Sequence, residues 1–389
     1  MSRILVISPT PSHPQNAGNR MRIFGLLHNL KQAGHEIHFA YISQERGADA
    51  EGMIHAWDAY YSIPYERPAP PLRRRLYNRI KRSRLGRFIP KDYYLPYTID
   101  EWFPESVNAF LAQLHEKMKF DVVMVEYVFI SKSLEAFGAD VLKILDTHDI
   151  FTNRHALYVK QGKKPTWFYT TERQERIGVK RADTVLAIQK HEAEFFHELS
   201  GKPTLVVGHV STVESNRKPV PNRILFVGSQ NPINVEGIQK FIANVLPRVR
   251  AVIPEAELHI VGRCANKIEE EIEGVVLVGE VDRLEPHYDS ASVVVNPVEY
   301  GTGLKIKTIE ALATACPLVT SPEGASGIEE IAGIAYLLAK NPTAFSEMVI
   351  SILQSPIKAK QLSDGALTFV ESYNEQTLRP LLEAIERGK

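Results

Sequence analysis

The sequence predicts an α/β protein built from two doubly wound, Rossmann-like domains. Short apolar segments alternate with helical patterns through the first half of the chain. A polar segment that contains prolines follows at residues 211–222, and the same alternation then starts again. Strands that alternate with helices favour parallel sheets, and 389 residues suit two such domains.

The first half opens with a β-α-β unit. Residues 4–8 are predicted to form a buried strand, and a helical pattern runs over 19–33 until Gly34 ends it. The next strand is expected at 36–42. Four further apolar runs predict later strands, at 122–125, 141–145, 184–188 and 204–207.

The second half repeats this order. Strands are predicted at 223–227, 257–261, 274–278, 292–296 and 318–320, and helices at 234–253 and 305–315. We therefore expect an N-terminal domain over 1–212, a C-terminal domain over 213–365 and a last helical segment over 366–389. Parallel sheets bind ligands at the carboxyl ends of their strands, so two such sheets facing a cleft suit an enzyme that joins two substrates.

The amino-acid composition restricts the possible functions and the cellular location of the protein. The 46 Lys and Arg balance the 46 Asp and Glu, which argues against a whole-chain nucleic-acid binder. Residues 1–204 carry 29 basic and 23 acidic residues, a net +6, and residues 205–389 carry 17 and 23, a net −6. The two cysteines, Cys264 and Cys316, favour a reducing, cytoplasmic location. No segment is apolar enough to span a membrane, so any membrane contact is expected to be peripheral.

The most informative motif follows the predicted strand at 292–296. Gly301 and Gly303 allow a ligand to approach the backbone closely, and the helix that follows can receive phosphate at its first amides. Lys305 and Lys307 lie in the first turn of that helix, where the helix dipole disfavours positive charge. An anionic ligand would offset this unfavourable interaction. Glu310, one turn later, can accept hydrogen bonds from ribose hydroxyls. The alternative is a glycine loop before a helix with surface lysines.

Several segments carry a resemblance to a known family. Gly-Thr-Gly-Leu-Lys at 301–305, followed by Ile-Glu-Ala-Leu-Ala at 309–313, resembles the donor-binding signature of the retaining GT-B glycosyltransferases of the group 1, or family-four, class. Residues 225–229, 234–237 and 245–248 resemble the first strand, loop and helix of that family's C-terminal domain. Residues 257–262 resemble its next strand, and residues 7–9 and 18–22 resemble its first loop and helix.

The resemblance implies a GT-B fold and the transfer of a sugar, with retention, from a nucleotide-sugar donor to a saccharide or lipid-linked acceptor. It also implies that the last helix packs back towards the N-terminal domain. Glu310 matches the glutamate that binds the donor ribose, and Gly18 matches a loop glycine near the donor phosphate or sugar. His148 matches a histidine that faces the transferred sugar, although a packed or capping histidine is the alternative. The expected donor-binding set is Gly18, Gly228, Ser229, Arg263, Gly301, Thr302, Gly303, Lys305 and Glu310.

Two positions depart from the family pattern. Thr302 stands where the family often has a glutamate, and Glu236 stands where it often has a lysine. We expect Lys305 to take over the neutralisation of the leaving diphosphate, so that His148 and Lys305 are the predicted catalytic residues. No protein general base is assigned, because the leaving phosphate can accept the acceptor's proton. Positioning and electrostatic stabilisation then carry the rate.

A basic segment at 72–90 is the second distinctive feature. Leu72, Leu76 and Ile80 recur every four residues beside basic side chains, and no acidic residue lies between Glu66 and Asp92. This pattern is typical of a helix that lies on an anionic membrane, although it also suits an acceptor phosphate or a solvated helix packed on its own domain. The predicted acceptor or membrane face is Arg73, Arg74, Arg75, Arg79, Lys81 and Arg82.

Other sites are not predicted. The sequence has no Asp-x-Asp pair and no histidine–cysteine cluster, so a metal-bridged diphosphate is disfavoured, and no cofactor is expected because the nucleotide-sugar is a substrate. It also has no phosphate-binding P-loop and no nucleophile elbow, and nothing else suggests a nucleic-acid partner. Two alternatives remain: an epimerase acting on free nucleotide-sugar, and a non-catalytic partner subunit with the same fold. We expect a cytoplasmic protein with a peripheral contact to the inner membrane face.

Overall fold

The computed structural model describes residues 1–45, 47–90, 92–160, 162, 164–165, 167–211, 216–300 and 306–388. The chain divides into two compact units. The first unit contains Met1–Pro11, Leu30–Val207 and Pro380–Lys389, and the second contains Ser12–Asn29 and Gly208–Arg379. Each unit is therefore assembled from separated pieces of the chain.

The first unit is built on a parallel sheet of seven strands. In chain order the strands are β1 (Arg3–Ser8), β2 (Glu36–Ser43), β3 (Ala59–Pro64), β4 (Val122–Glu126), β5 (Leu142–Asp146), β6 (Thr184–Ala187) and β7 (Thr204–Val206). They lie in the order β3-β2-β1-β4-β5-β6-β7, so the chain reverses direction across the sheet beside β1. Ligands of doubly wound sheets bind at such a reversal, beyond the carboxyl ends of the strands.

The second unit has a parallel sheet of six strands. These are β8 (Arg223–Val227), β9 (Glu257–Val261), β10 (Val275–Gly279), β11 (Val293–Asn296), β12 (Leu318–Thr320) and β13 (Leu337–Leu338), in the order β10-β9-β8-β11-β12-β13. Here the reversal lies beside β8. The predicted fold class, two α/β domains with doubly wound parallel sheets, is confirmed.

Helices cover both sheets. The α-helices are α1 (Gly18–Gln32), α2 (Ala50–Ala56), α3 (Leu72–Arg82), α4 (Ser106–Met118), α5 (Arg154–Lys160), α6 (Glu172–Val179), α7 (Lys190–Ser200), α8 (Pro232–Asn244), α9 (Leu246–Val252), α10 (Glu285–Ser290), α11 (Ile306–Ala313), α12 (Pro342–Leu353) and α13 (Pro356–Arg387). Shorter 3-10 helices occupy Arg84–Phe88, Val128–Ala136, Arg263–Lys267, Glu323–Ala325 and Glu329–Ile331. Each unit has its own apolar core between its sheet and these helices.

Two sequence predictions are corrected. The helix predicted over 234–253 is two helices, α8 and α9, which meet at Val245. Pro247 stands in the first turn of α9, where a missing N–H costs nothing, whereas inside one long helix it would break a hydrogen bond. Strand β3 was not predicted, because Ala59–Pro64 carries a single fully buried residue, Ile63.

Among the described residues, no helix is both long enough and apolar enough to cross a bilayer.

Candidate active site

Two glycines shape the strand ends of the second unit. Beyond β8, the N–H of Gly228 donates to the carbonyl of Val261 at 2.9 Å, and its carbonyl accepts from Cys264 N–H at 3.2 Å. A Cβ on Gly228 would lie 2.7 Å from the Phe226 ring. Gly262 has a φ of +97°, and a Cβ there would lie 2.4 Å from the Gly228 carbonyl oxygen. Both positions require glycine, and the two loops therefore run close together.

A cation lies beside the loop after β8. The side-chain amide of Asn234 donates to Ser229 Oγ at 3.1 Å, and its oxygen accepts from Lys307 Nζ at 2.5 Å. The Lys307 ammonium also lies 4.8 Å from the centre of the Phe226 ring. Lys307 follows the start of α11 by one residue, so the structure joins the loop of Ser229 to the helix that carries Glu310.

Gly18 lies near the start of that same helix. A Cβ on Gly18 would come within 3.3 Å of the Ile306 side chain, so the first residues of α1 and α11 are in close contact. Gly301, Thr302, Gly303 and Lys305, which precede Ile306, lie outside the described residues. Their predicted roles stay predictions.

Glu310 is a buried carboxyl group with only 7% of its surface exposed. Tyr288 donates its hydroxyl to Oε2 at 3.5 Å, whereas Oε1 has no hydrogen-bond partner among the described residues. Burial raises the pKa of Glu310 to about 8, although Tyr288 and Lys307 oppose that rise. The free protein therefore holds an acceptor atom that is both desolvated and unsatisfied.

His209 lies beside that atom. Its Nε2 lies 3.6 Å from Glu310 Oε1. Complete burial, together with the charge of Arg22, lowers the pKa of His209 to about 3. The imidazole is thus neutral at physiological pH, and the contact is not an ion pair.

Arg263 is less constrained. Its Nε lies 3.8 Å from Glu280 Oε1, and both side chains are about half exposed, at 49% and 50%. Glu280 also accepts from the Asn16 side chain at 3.3 Å. Arg263 therefore lies just beyond the carboxyl end of β9, where its acidic partner is half exposed to solvent.

His148 belongs to the first unit, directly beyond β5. Its Nε2 makes a short hydrogen bond to Glu126 Oε2 and lies 4.0 Å from Asp146 Oδ2. Among the described residues, these three form a group whose ligand atoms all lie within 4.8 Å of one another, so they could hold a metal ion. All three are buried.

Helix α3, which forms the first part of the basic segment 72–90, presents three faces. Arg73 and Arg74 bind Glu101, and Arg74 also lies 3.9 Å from the centre of the Tyr97 ring, so this face packs on its own unit. The hydroxyl of Tyr77 donates to the Tyr93 carbonyl at 3.0 Å on the same face.

The other two faces of α3 point to solvent. Arg75, Arg79 and Arg82 line an open groove. Leu72 is 73% exposed and Leu76 is 53% exposed, and no residue of α3 is buried. The apolar stripe of this helix therefore does not anchor it to the protein.

Comparisons with known proteins define the class. Residues 221–355 match the family model of the glycosyl transferases group 1. That range covers β8 to β13 and contains Gly228, Lys307 and Glu310. The matched range is about a third of the chain, and the match supports an enzyme that transfers sugars.

Solved structures share the whole fold. Sucrose-phosphate synthase of Thermosynechococcus elongatus is similar with a TM-score of 0.68 and 18% identity, over 100% of this chain and 98% of that one. TarM of S. aureus has a TM-score of 0.68 at 11% identity, over 99% of each chain. HepE of Anabaena, solved with UDP, has a TM-score of 0.62 at 12% identity, over 98% of this chain and 100% of that one. The predicted GT-B fold is confirmed by this likeness.

A sequence relative spans the same length. An uncharacterized 44.6 kDa protein in the cps region of Klebsiella pneumoniae is 20% identical over 410 aligned positions, which cover 97% of each protein.

Glu126, His209, Tyr288 and Lys307 contribute to these sites but are not among the predicted site residues. The sequence patterns do not single out Glu126, and they give Lys307 only as one of two lysines in the first turn of a helix. Their significance depends on which strands and helices are neighbours, which local sequence patterns do not report. The sequence offers one signal for Glu126: it is a charged residue at the end of a strand whose other residues are apolar.

Proposed function

We propose that the protein moves a sugar from a nucleotide-sugar to a saccharide or lipid-linked acceptor, with retention and without a metal ion. The observation that carries this proposal is Glu310, a buried carboxyl group with an unsatisfied oxygen in the range that matches the glycosyl transferases group 1. Two adjacent ribose hydroxyls offer the donors that such an oxygen lacks. Hydrogen bonds to this carboxyl group contribute about 0.5–1.5 kcal/mol each while it is neutral and about 1.5–3 kcal/mol each once it is ionised.

The diphosphate would lie beyond β8. Lys307 supplies a positive charge beside Ser229, and the glycines at 228 and 262 let phosphate oxygens approach the backbone. Lys305 is expected to add a second charge. These groups would stabilise the leaving diphosphate, and its oxygen would take the acceptor's proton. The Anabaena relative was solved with UDP, which makes UDP the first nucleotide to test.

Calorimetry with nucleoside diphosphates tests the donor site. We expect the wild type to bind at least one of them and Glu310→Gln to bind it about 10- to 100-fold more weakly, because the amide offers one acceptor oxygen where the carboxylate offers two. Glu257→Gln is the matched control, since Glu257 is exposed at the amino end of β9. A panel of nucleotide-sugars, with and without saccharide acceptors, then reports transfer as nucleotide release. Failure of every nucleotide to bind would contradict the proposal and favour a non-catalytic subunit.

We also propose that the basic segment 72–90 docks on an anionic membrane, so that the enzyme works at the inner membrane face. Exposed apolar side chains stand beside exposed arginines on α3, and Leu85 and Phe88 continue the apolar surface at 60% and 70% exposure. Apolar insertion and charge attraction act together in such helices, at about 1 kcal/mol for each basic residue near the surface. A lipid-linked acceptor would be reached in this position.

Vesicle sedimentation tests the docking. We expect binding to phosphatidylcholine vesicles that contain phosphatidylglycerol, and none to phosphatidylcholine alone. Neutralising Arg75, Arg79 and Arg82 with glutamine should weaken binding by roughly 100-fold. The control replaces the exposed cations Lys117, Arg173 and Lys190, which lie outside the segment. Equal losses in both triple variants, or no binding by the wild type, would remove the membrane proposal.

A further inference from the structure

Two neighbouring strands of the first unit end in the same unusual way. Strand β4 ends at Glu126, and the next residue, Tyr127, has a φ of +71°. Strand β5 ends at Asp146, and His148, two residues on, has a φ of +60°. These are left-handed conformations that side chains with a Cβ adopt at a cost of about 1–3 kcal/mol, and they gather at functional sites. Glu126 and Asp146 are paired in the sheet register, so the two strained turns lie side by side.

The two turns hold one imidazole. The ring of Tyr127 stacks on that of His148, with centroids 4.2 Å apart and planes 18° apart. Glu126 accepts a hydrogen bond from Nε2, and Asp146 Oδ2 stands 4.0 Å from the same nitrogen. The ring is thus fixed both in its plane and in its rotation about the side-chain bonds.

This arrangement determines which ring nitrogen is protonated. A carboxylate accepts only, so Nε2 carries a proton whether the imidazole is neutral or charged. The hydrogen bonds of His148 to described residues all use Nε2, which leaves Nδ1 for a ligand. His148 is 7% exposed, enough for contact with a bound molecule at its edge.

We propose that Glu126 is the positioning residue of His148: it holds the Nε2–H so that Nδ1 can accept a hydrogen bond from a hydroxyl of a sugar substrate. The sugar as ligand rests on the proposed function, whereas the fixed ring does not. Glu126 acts through His148 and does not touch the substrate. Tyr127 supports the same orientation by covering one face of the ring.

Nitrogen NMR tests the ring without any substrate. The protein is labelled with ¹⁵N in its histidine rings, and the His148 signals are identified by their loss in His148→Gln. We expect the wild type to show a protonated Nε2. In Glu126→Gln the neutral amide can donate as well as accept, so a population protonated only at Nδ1 should appear.

A matched variant controls for the loss of any buried carboxylate. Glu175 is buried in the same unit and accepts from the N–H groups of Phe151 and Thr152, so Glu175→Gln should leave the His148 signals in place. A wild-type ring protonated only at Nδ1 would overturn the proposal, and this result needs no variant to fold. Unchanged signals in Glu126→Gln would also overturn it.

Two further measurements separate the remaining outcomes. With an active donor and acceptor, Glu126→Gln should lower kcat by about 10- to 1000-fold and change the donor KM little, since the ring acts at the sugar and not at the nucleotide. Absence of any transfer by the wild type would count against the proposed function and leave the NMR result standing. Stoichiometric Zn²⁺ or Mn²⁺ binding that both Glu126→Gln and His148→Gln abolish would show a metal site and overturn the positioning role.

Discussion

Glu126 in the first unit and Glu310 in the second are both buried carboxyl groups, yet their surroundings differ. Glu126 bonds to the imidazole of His148, a group that can carry positive charge. Burial raises the pKa of Glu310 to about 8, and the Tyr288 hydroxyl and Lys307 offset only part of that rise, while His209 stays neutral. A buried carboxylate with a partner of its own serves to hold structure, whereas one without is poised to accept hydrogen bonds from a ligand.

The largest expected difference between the two carboxyl groups is in how each makes the free energy of unfolding depend on pH. Glu310 titrates near 4.5 in an unfolded chain and near 8 in the folded protein, so the folded state binds more protons between these values. Its contribution to the free energy of unfolding is present below pH 4.5 and is lost as the pH rises to 8. Glu310→Gln should therefore be more stable than the wild type at pH 9 by a few kcal/mol, at about 1.4 kcal/mol per pKa unit. An equal difference in Tm at pH 5 and pH 9 would contradict this assignment.

The opposite sign is expected for Glu126. Replacing it with glutamine removes the charged acceptor of His148, which should destabilise the protein by about 1–3 kcal/mol at pH 7. Thermal unfolding gives the shift in Tm. A double-mutant cycle with His148→Gln tests the cause, because the double variant should lose little more than either single variant. Additive losses would mean that the two residues do not act as a pair.

A smaller effect is expected from Tyr288, which donates a hydrogen bond to Glu310. Tyr288 donates to this carboxylate at 3.5 Å, a long hydrogen bond that favours the ionised form. Tyr288→Phe should raise the pKa of Glu310 further and weaken nucleotide binding a few-fold at pH 7. At pH 9 a larger share of the carboxyl group is ionised in both proteins than at pH 7, so the deficit should shrink. Calorimetry at the two pH values measures this, and an equal deficit at both would contradict it.

Local patterns in the sequence predicted the strands well. Residues 223–227, 257–261 and 318–320 form strands over the ranges expected, because continuous apolar runs bounded by polar residues describe a strand buried on both faces. Strand β3 was not predicted because four of its six residues are tyrosine, serine or proline, which dilutes the apolar signal, and Tyr60 and Tyr61 are only half-buried. The break between α8 and α9 could have been found from Pro247.

The residues of the sites were harder to predict than the strands, because their roles depend on contacts between distant parts of the chain. Glu310 was found because a specific motif surrounds it. The role of Glu126 depends on β4 lying beside β5, and that of His209 depends on the chain after β7 passing Glu310. Pairings of this kind arise only when the sheet forms, so a single sequence gives no direct signal for them.

The composition of the second unit has a consequence for folding and for truncation. Gly18 and Gly25 belong to this unit, where they pack against Ile306 and the Val210 carbonyl. The partners of both glycines lie far along the chain from α1. The second unit therefore forms only when two distant pieces of the sequence meet, and a fragment starting at Gly208 would lack the helix that contacts Ile306 and Val210.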